Sequence, residues 1–305
     1  MKMMTKKLTS FGMAVLLALT MLLPDIYLNT IPVYADDEFT ITLSTTTLTY
    51  KGVAQTPDVS VTYGGNTLTL GTDYSLTYYS LGSDGSTWSA TTADSIVNVG
   101  TYKVVATGLS TSASYASYNG SEQFTIAQVK FGSGLSSVTL DTTSYTYDGS
   151  EKTPEVTVTA YVNGSNTELT KGTDYTVAYT DNTDAGTATV TVTGVNNFTG
   201  TMNETFTISK RALSSFDITA DTCVYTGSEV SPNYTFTLNG SSYSLTEGTD
   251  FTVKYYKANT DDLSNATETA LSGNPTDVGF YRAYLTGKGN YSGSLATGVN
   301  FYVAY

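Results

Sequence analysis

Asp-Asn-Thr-Asp-Ala-Gly-Thr-Ala-Thr-Val-Thr-Val-Thr-Gly, residues 181–194, sets threonine in strict alternation with Ala188, Val190 and Val192 between two glycines, and the phrase Gly172-Thr173-Asp174-Tyr175 stands just before it. The phrase returns as Gly71-Thr72-Asp73-Tyr74 and as Gly248-Thr249-Asp250-Phe251. A glycine followed eight residues later by the glycine of a Thr-Gly pair returns with it: Gly100 and Gly108, Gly186 and Gly194, Gly279 and Gly287. Such fixed offsets inside variable spacings mark internal repetition.

Working outward, each copy is preceded by an aromatic turn, Tyr50-Lys51-Gly52, Tyr147-Asp148-Gly149 or Tyr225-Thr226-Gly227, with a proline seven residues after the tyrosine (Pro57, Pro154, Pro232). Each is followed by an aromatic-Xaa-Gly turn beginning at Tyr118, Phe198 or Tyr291, and closes on a segment carrying Phe124, Phe206 or Phe301. Within a copy the apolar residues alternate with polar ones. Val156, Val158, Ala160 and Val162 form one such run, Tyr175, Val177 and Tyr179 the next, and Val190 with Val192 a third. A period of two predicts strands with one face inward, and threonine suits the outer face. The sequence therefore predicts an all-β chain of three β-sandwich modules, 38–128, 135–209 and 214–305. Modules one and three carry insertions, 80–98 and 258–277, where module two has the short turn Asp181-Asn182-Thr183-Asp184. Both insertions are expected to be long loops, and Gln128–Gly134 and Lys210–Ser214 short connectors.

Residues 1–35 read differently. Lys2, Lys6 and Lys7 precede an apolar run from Phe11 to Leu23, and Val33-Tyr34-Ala35 supplies small residues for cleavage, the pattern of a secretory signal peptide. The run is too short for the ~20 residues that span a bilayer. Without residues 1–35 the chain holds 11 basic and 26 acidic side chains. That excess of negative charge argues against nucleic acid and against insertion in, or attraction to, an anionic membrane after cleavage. The expected location is secreted or extracellular, associated with the cell surface.

Catalytic and metal chemistry find little support. The chain has no histidine, so Ser-His-Asp and Cys-His arrangements are excluded, and Cys223 is the single cysteine, so no intrachain disulfide forms. Cys223 beside Val224-Tyr225 reads as a small buried group. The aspartate of each Gly-Thr-Asp phrase recurs once per module, which suits a turn in which the carboxylate accepts a hydrogen bond from the backbone two residues on. Asp181-Asn182-Thr183-Asp184 lacks the glycine and distal glutamate of a twelve-residue calcium loop. Lys210-Arg211 reads as a solvated linker. No enzyme activity, cofactor or metal is expected.

The functional lead is aromatic. Trp88, the one tryptophan, lies in the first insertion, and the doublets Tyr78-Tyr79 and Tyr255-Tyr256 each require one ring to face outward. Trp88, Tyr79 and Tyr256 are therefore the candidate partner contacts, and cell-wall or host glycans or surface proteins the candidate partners.

The Tyr-Xaa-Gly turn with its proline, Gly-Thr-Asp-Tyr, Ala185-Gly186-Thr187-Ala188, Asn197-Phe198-Thr199-Gly200 and Phe206-Thr207-Ile208 resemble the Ig-like repeats of bacterial surface and secreted proteins, those of YDG or MBG type. The resemblance covers residues 39–305. It implies a tandem array of Ig-like sandwiches used as stalks, spacers or adhesion modules, and it implies no catalytic residue. By analogy alone, Lys152 and Asn203 suggest the intramolecular amide found in some bacterial surface sandwiches. Gln55 and Val230 at the matching positions argue against it.

Overall fold

The computed structural model describes residues 38–132, 134, 136–261 and 267–305. The expected signal peptide, Leu135 at the start of the second expected module and residues 262–266 of the second insertion lie outside them. Contacts divide the chain into two units. The smaller holds the described residues up to Thr46 with Pro57–Thr91 and Tyr102–Gln123, and the larger holds Thr47–Thr56, Thr92–Thr101 and Phe124–Tyr305.

The second repeat, inside the larger unit, shows the plan most simply. Val156–Val162 pairs antiparallel with Ser136–Leu140 on one side and Ser165–Glu168 on the other. A second sheet runs in the order Ser144–Thr146, Thr201–Ser209, Gly186–Gly194, Tyr175–Thr180. Its first pair is parallel and the others antiparallel. The inward residues of the two sheets meet: Val158, Ala160 and Val162 from one join Tyr175 and Val192 from the other in one buried cluster. Burial of each large apolar side chain stabilises by about 1.5–3 kcal/mol. Outward threonines such as Thr189, Thr191 and Thr193 complete the alternation. This is an Ig-like β-sandwich.

The third repeat uses the same plan around Phe236, Phe251, Tyr281, Leu285 and Val303. Its larger sheet has five strands, ordered Cys223–Val224, Val299–Ala304, Gly279–Gly287, Phe251–Ala258, Glu268–Ala270. In the smaller unit Val59–Tyr63 pairs with Thr40–Leu43 and Asn66–Thr67. There Tyr74–Leu81 pairs with both Trp88–Thr91 and the Tyr102–Gly108 stretch. In the larger unit Thr47–Thr49 runs parallel to Thr125–Ala127, as Ser144–Thr146 does to Thr207–Ser209 and Cys223–Val224 to Val303–Ala304. The plan thus occurs three times along the chain.

The repeated phrases acquire physical roles. Gly71, Gly172 and Gly248 have φ of 80°, 84° and 85°, a conformation glycine adopts without a Cβ penalty. The aspartate turns back rather than forward. Asp73, Asp174 and Asp250 each accept, through Oδ2, the N–H of the threonine four residues earlier, at 2.8 Å, instead of one two residues on. Each aspartate N–H also donates to that threonine's carbonyl, so the pair closes a loop ahead of the strand. The Thr-Gly glycine is required by close approach. A Cβ on Gly194 would lie 2.7 Å from Thr199 N and one on Gly287 2.6 Å from Ser292 N, because the aromatic turn folds back over the strand end, and one on Gly108 would lie 1.7 Å from Tyr115 O, in the segment just before that turn.

Both insertions differ from the expected loops. Trp88–Thr91 forms a hairpin with Tyr78–Leu81, followed by the short 3-10 turn Ala93–Ser95. Glu268–Ala270 pairs in the same way with Tyr256–Ala258. Each insertion adds a strand to the edge that Tyr175–Thr180 leaves open in the second repeat. Short strands of mixed polarity, Trp-Ser-Ala-Thr and Glu-Thr-Ala, give too few residues for a legible period of two.

The connectors are strands too. Within the larger unit, Val129–Lys130 runs parallel to Phe198–Thr199 and Arg211–Ala212 parallel to Tyr291–Ser292. Arg211 is half-buried, and its Nε donates to Tyr147 O at 2.7 Å, so the pair Lys210-Arg211 is only partly a solvated linker. One asparagine completes each connection. Asn197 Oδ1 accepts the Val99 N–H at 2.9 Å while its Nδ2 donates to Asn98 at 3.1 Å. Asn290 Oδ1 accepts the Ala185 N–H at 2.8 Å while its Nδ2 donates to Asp184 at 2.9 Å. Above each asparagine two aromatic rings meet edge to face, Tyr50 with Phe198 at 5.6 Å and Tyr147 with Tyr291 at 5.5 Å.

Candidate partner-binding face

Tyr79, Trp88 and Tyr256 all lie on outward faces of the larger sheets, but their surroundings differ. In the smaller unit Tyr79 stands opposite Lys103 across the strand pair, and Trp88 enters from the added strand one pleat away on the same face. The Lys103 ammonium lies 4.5 Å from the Trp88 ring centroid and 5.1 Å from that of Tyr79. All three side chains are half-buried. The neighbouring inward residues, Tyr102 and Val104, are buried, which fixes the strands from beneath.

The hairpin tip that carries Trp88 is closed by Asp84. Its carboxylate accepts the Ser86 N–H at 3.0 Å, the Thr87 N–H at 2.9 Å and the Thr87 hydroxyl. The Thr87 hydroxyl, followed by these backbone donors, holds the Asp84 carboxyl well below the usual carboxylate range. Gly82 N–H donates to Thr87 O at 2.7 Å, so Trp88 leaves a tied turn.

In the third repeat the corresponding register holds Tyr256 opposite Arg282, with Glu268 entering from the added strand opposite Ala258, one pleat away. Arg282 pairs with Glu268 through Nη1 and donates from Nε to Asn300 at 2.9 Å. Tyr284 donates to Glu268 at 3.2 Å and meets the Tyr256 ring edge to face at 5.2 Å. A carboxylate has replaced Trp88 as the cation's neighbour, and the side chains satisfy one another. In the second repeat Thr180 opposite Thr189 occupies this register. The sequence points to the three aromatics but not to Lys103 or Arg282. Both follow a buried tyrosine or precede a buried apolar residue in an alternating run, and only the cross-strand register shows that each faces an outward ring.

The aromatic-cation pair of the first repeat can stack on the apolar face of a sugar ring or on a partner's aromatic side chain, and its ammonium can donate to hydroxyl or carboxylate oxygens. Other candidate groups are engaged elsewhere. Asp184 serves the asparagine connection, Asn182 bonds to Lys152 O at 3.0 Å, and Lys152 Nζ meets Asp148 at 2.5 Å, while Asn203 lies exposed on Thr201–Ser209. Cys223 is buried, and burial pushes its thiol up. Among the described residues no three His, Cys, Asp or Glu side chains gather as metal ligands, and no helix is long and apolar enough to cross a membrane.

No family model and no curated protein matches the chain. Solved structures similar to it include the tetra-tandem repeat in the extending region of a large adhesion protein, at 12% identity over 87% of this chain and 74% of that one, with TM-score 0.38. The three N-terminal domains of the bacteriophage RB49 highly immunogenic outer capsid protein match at 14% identity over 88% and 98%, with TM-score 0.25. Extracellular cadherin domains 3–6 of protocadherin gamma B2 match at 11% over 88% and 77%, with TM-score 0.21. At such values the fold stands on the strand pairings described above.

Proposed function

We propose that the chain is a non-enzymatic stalk or spacer outside a bacterial cell, an array of Ig-like repeats of YDG or MBG type that carries tension. The observation that supports this reading is the parallel pairing of each repeat's early strand with its last one. Tension applied through the two ends of a repeat draws such a pair apart along the strands, so its hydrogen bonds are strained together rather than one after another. The hydrogen-bonded connectors suit the same task.

Single-molecule force spectroscopy on the full chain tests it. Three separate unfolding events are expected, each releasing roughly 250–330 Å of chain at about 3.5 Å per residue. Unfolding in a single step at low force refutes the reading. A second reading, an adhesin or carbohydrate-binding protein working through 80–98 and 258–277, is favoured by the Trp88–Lys103–Tyr79 cluster. A glycan and matrix-protein binding screen with Trp88→Ala as control tests it, and the absence of binding by the wild type removes it.

A further inference from the structure

The two asparagine connections follow one recipe. An Asx-Xaa-Gly segment entering a central strand, Asn98-Val99-Gly100 or Asp184-Ala185-Gly186, meets the Asn of an Asn-aromatic-Xaa-Gly turn, Asn197-Phe198 or Asn290-Tyr291. The aromatic of that turn covers the tyrosine of a Tyr-Xaa-Gly turn, Tyr50 or Tyr147. The third repeat carries the receiving half of this recipe, in register. Asp277-Val278-Gly279 enters the strand Gly279–Gly287, as the other two segments enter theirs. Tyr225 N–H donates to Ala304 O at 2.6 Å, as Tyr50 does to Ala127 O and Tyr147 to Ser209 O at 2.9 Å.

The giving half is absent there among the described residues. Among the described residues no hydrogen bond from Val278 N–H answers those that Val99 and Ala185 make to an asparagine, and the Asp277 carboxylate, its side chain 72% exposed, meets Lys257 Nζ at 3.4 Å. Tyr225 is 39% exposed, with only the edge of Tyr305 against it at 5.6 Å, and Tyr305 itself is 94% exposed.

We propose that Tyr225, Asp277 and Val278 form an acceptor face for a further Ig-like module that presents an Asn-aromatic-Xaa-Gly turn after a short connecting strand. The inference rests on the reading of the chain as an array. A second copy of this chain offers Ser117-Tyr118-Asn119-Gly120 in its first repeat, with serine where the asparagine is needed, so it is not the occupant.

The test extends the full chain. Residues up to Ala304 are followed by a second copy of Gln128–Ser209, which keeps the spacing by which Gln128 follows Ala127. Hydrogen exchange is then read on the peptide over Asp277–Gly279, which occurs once in the extended chain. Its exchange is expected to slow about tenfold or more relative to the parent chain, the factor of one to two added hydrogen bonds. Asn197→Ala in the appended copy alone should cancel that gain. Uniform protection over Val190–Val192 shows that both copies of those residues are folded. Unchanged exchange at Asp277–Gly279 in a folded extended chain overturns the proposal, and so does slowing that survives Asn197→Ala. Failure of the array reading has a different signature, the single unfolding step under force.

Discussion

Alanine at Gly194 should be among the most damaging single substitutions in the second repeat, and alanine at Gly186 nearly silent, although both glycines recur at the same offset in every repeat. An added Cβ at Gly194 meets Thr199 N at 2.7 Å, the Phe198 carbonyl carbon at 2.9 Å and Thr199 Cα at 3.0 Å. All three are backbone atoms, so no side chain can swing aside. Ordinary contact lies at 3.4 Å or beyond, and the turn must retreat by several tenths of an ångström. Phe198 is 2% exposed and packs on Tyr50 and Phe131, so a retreating turn also loosens the core and the connector. Overpacking of this kind costs about 1–3 kcal/mol, or roughly 4–8 °C of melting temperature per kcal/mol in a domain of this size. At Gly186 nothing lies within 4 Å of the added carbon, whereas its counterpart in the third repeat, Gly279, has a φ of 151° that favours glycine. Differential scanning calorimetry of the full chain should show one transition displaced downward by Gly194→Ala and none by Gly186→Ala. Equal shifts for the two variants would refute the argument from the turn.

Asn290→Ala should raise amide exchange at Ala185 by about ten- to a hundredfold, since it removes the acceptor of that N–H and a bond to a carboxylate; mass spectrometry of exchange checks it. Lys103→Ala should loosen the outer face of the first repeat by about 0.5–1 kcal/mol, the worth of exposed cation-ring contacts, and quench or shift the emission of the one tryptophan. Burial raises the Tyr291 hydroxyl to about 12, and burial also raises Tyr234 and Tyr255. These groups stabilise the third repeat fully below pH ~10, where unfolded tyrosine begins to ionise, and the contribution is lost as pH rises toward and through the raised values. Alkaline melts should therefore fall above pH 10, less steeply in Tyr234→Phe. Asp148 is depressed, first by its hydrogen bond from Lys152, so its contribution is present above the ordinary carboxylate pKa and lost as pH falls through the lowered one. Asp148→Asn should remove that part of the acid sensitivity in a denaturant series at pH 2–5.

Much of the frame was legible because glycine and proline punctuate it and because core strands of five to nine residues show their period. Val156–Val162 and Gly186–Gly194 could be read directly as strands, and Gly172 as a left-handed turn. The aspartate was assigned to a turn correctly but with the wrong donor, since one-dimensional spacing does not show which way a loop closes. The insertions read as loops in the sequence because strands of three or four residues borrow their order from the neighbour they pair with. Lys103 was missed for a related reason: its significance lies in facing Tyr79 across a strand pair, and that partner is 24 positions earlier in the chain. The connectors failed differently, as two-residue strands are set by the turn they join and carry almost no pattern of their own.

Cys223 sits within the parallel pair of the third repeat, opposite Val303, and is 8% exposed. Its thiol is sheltered by that strand and made less acidic by burial, so an alkylating reagent reaches it only after the pair has come apart. With no second cysteine to compete, each molecule carries a one-bit record of its own history. The labelled fraction, weighed by intact mass, counts how many molecules have yielded under stretching, shear flow or denaturant, without any engineered probe.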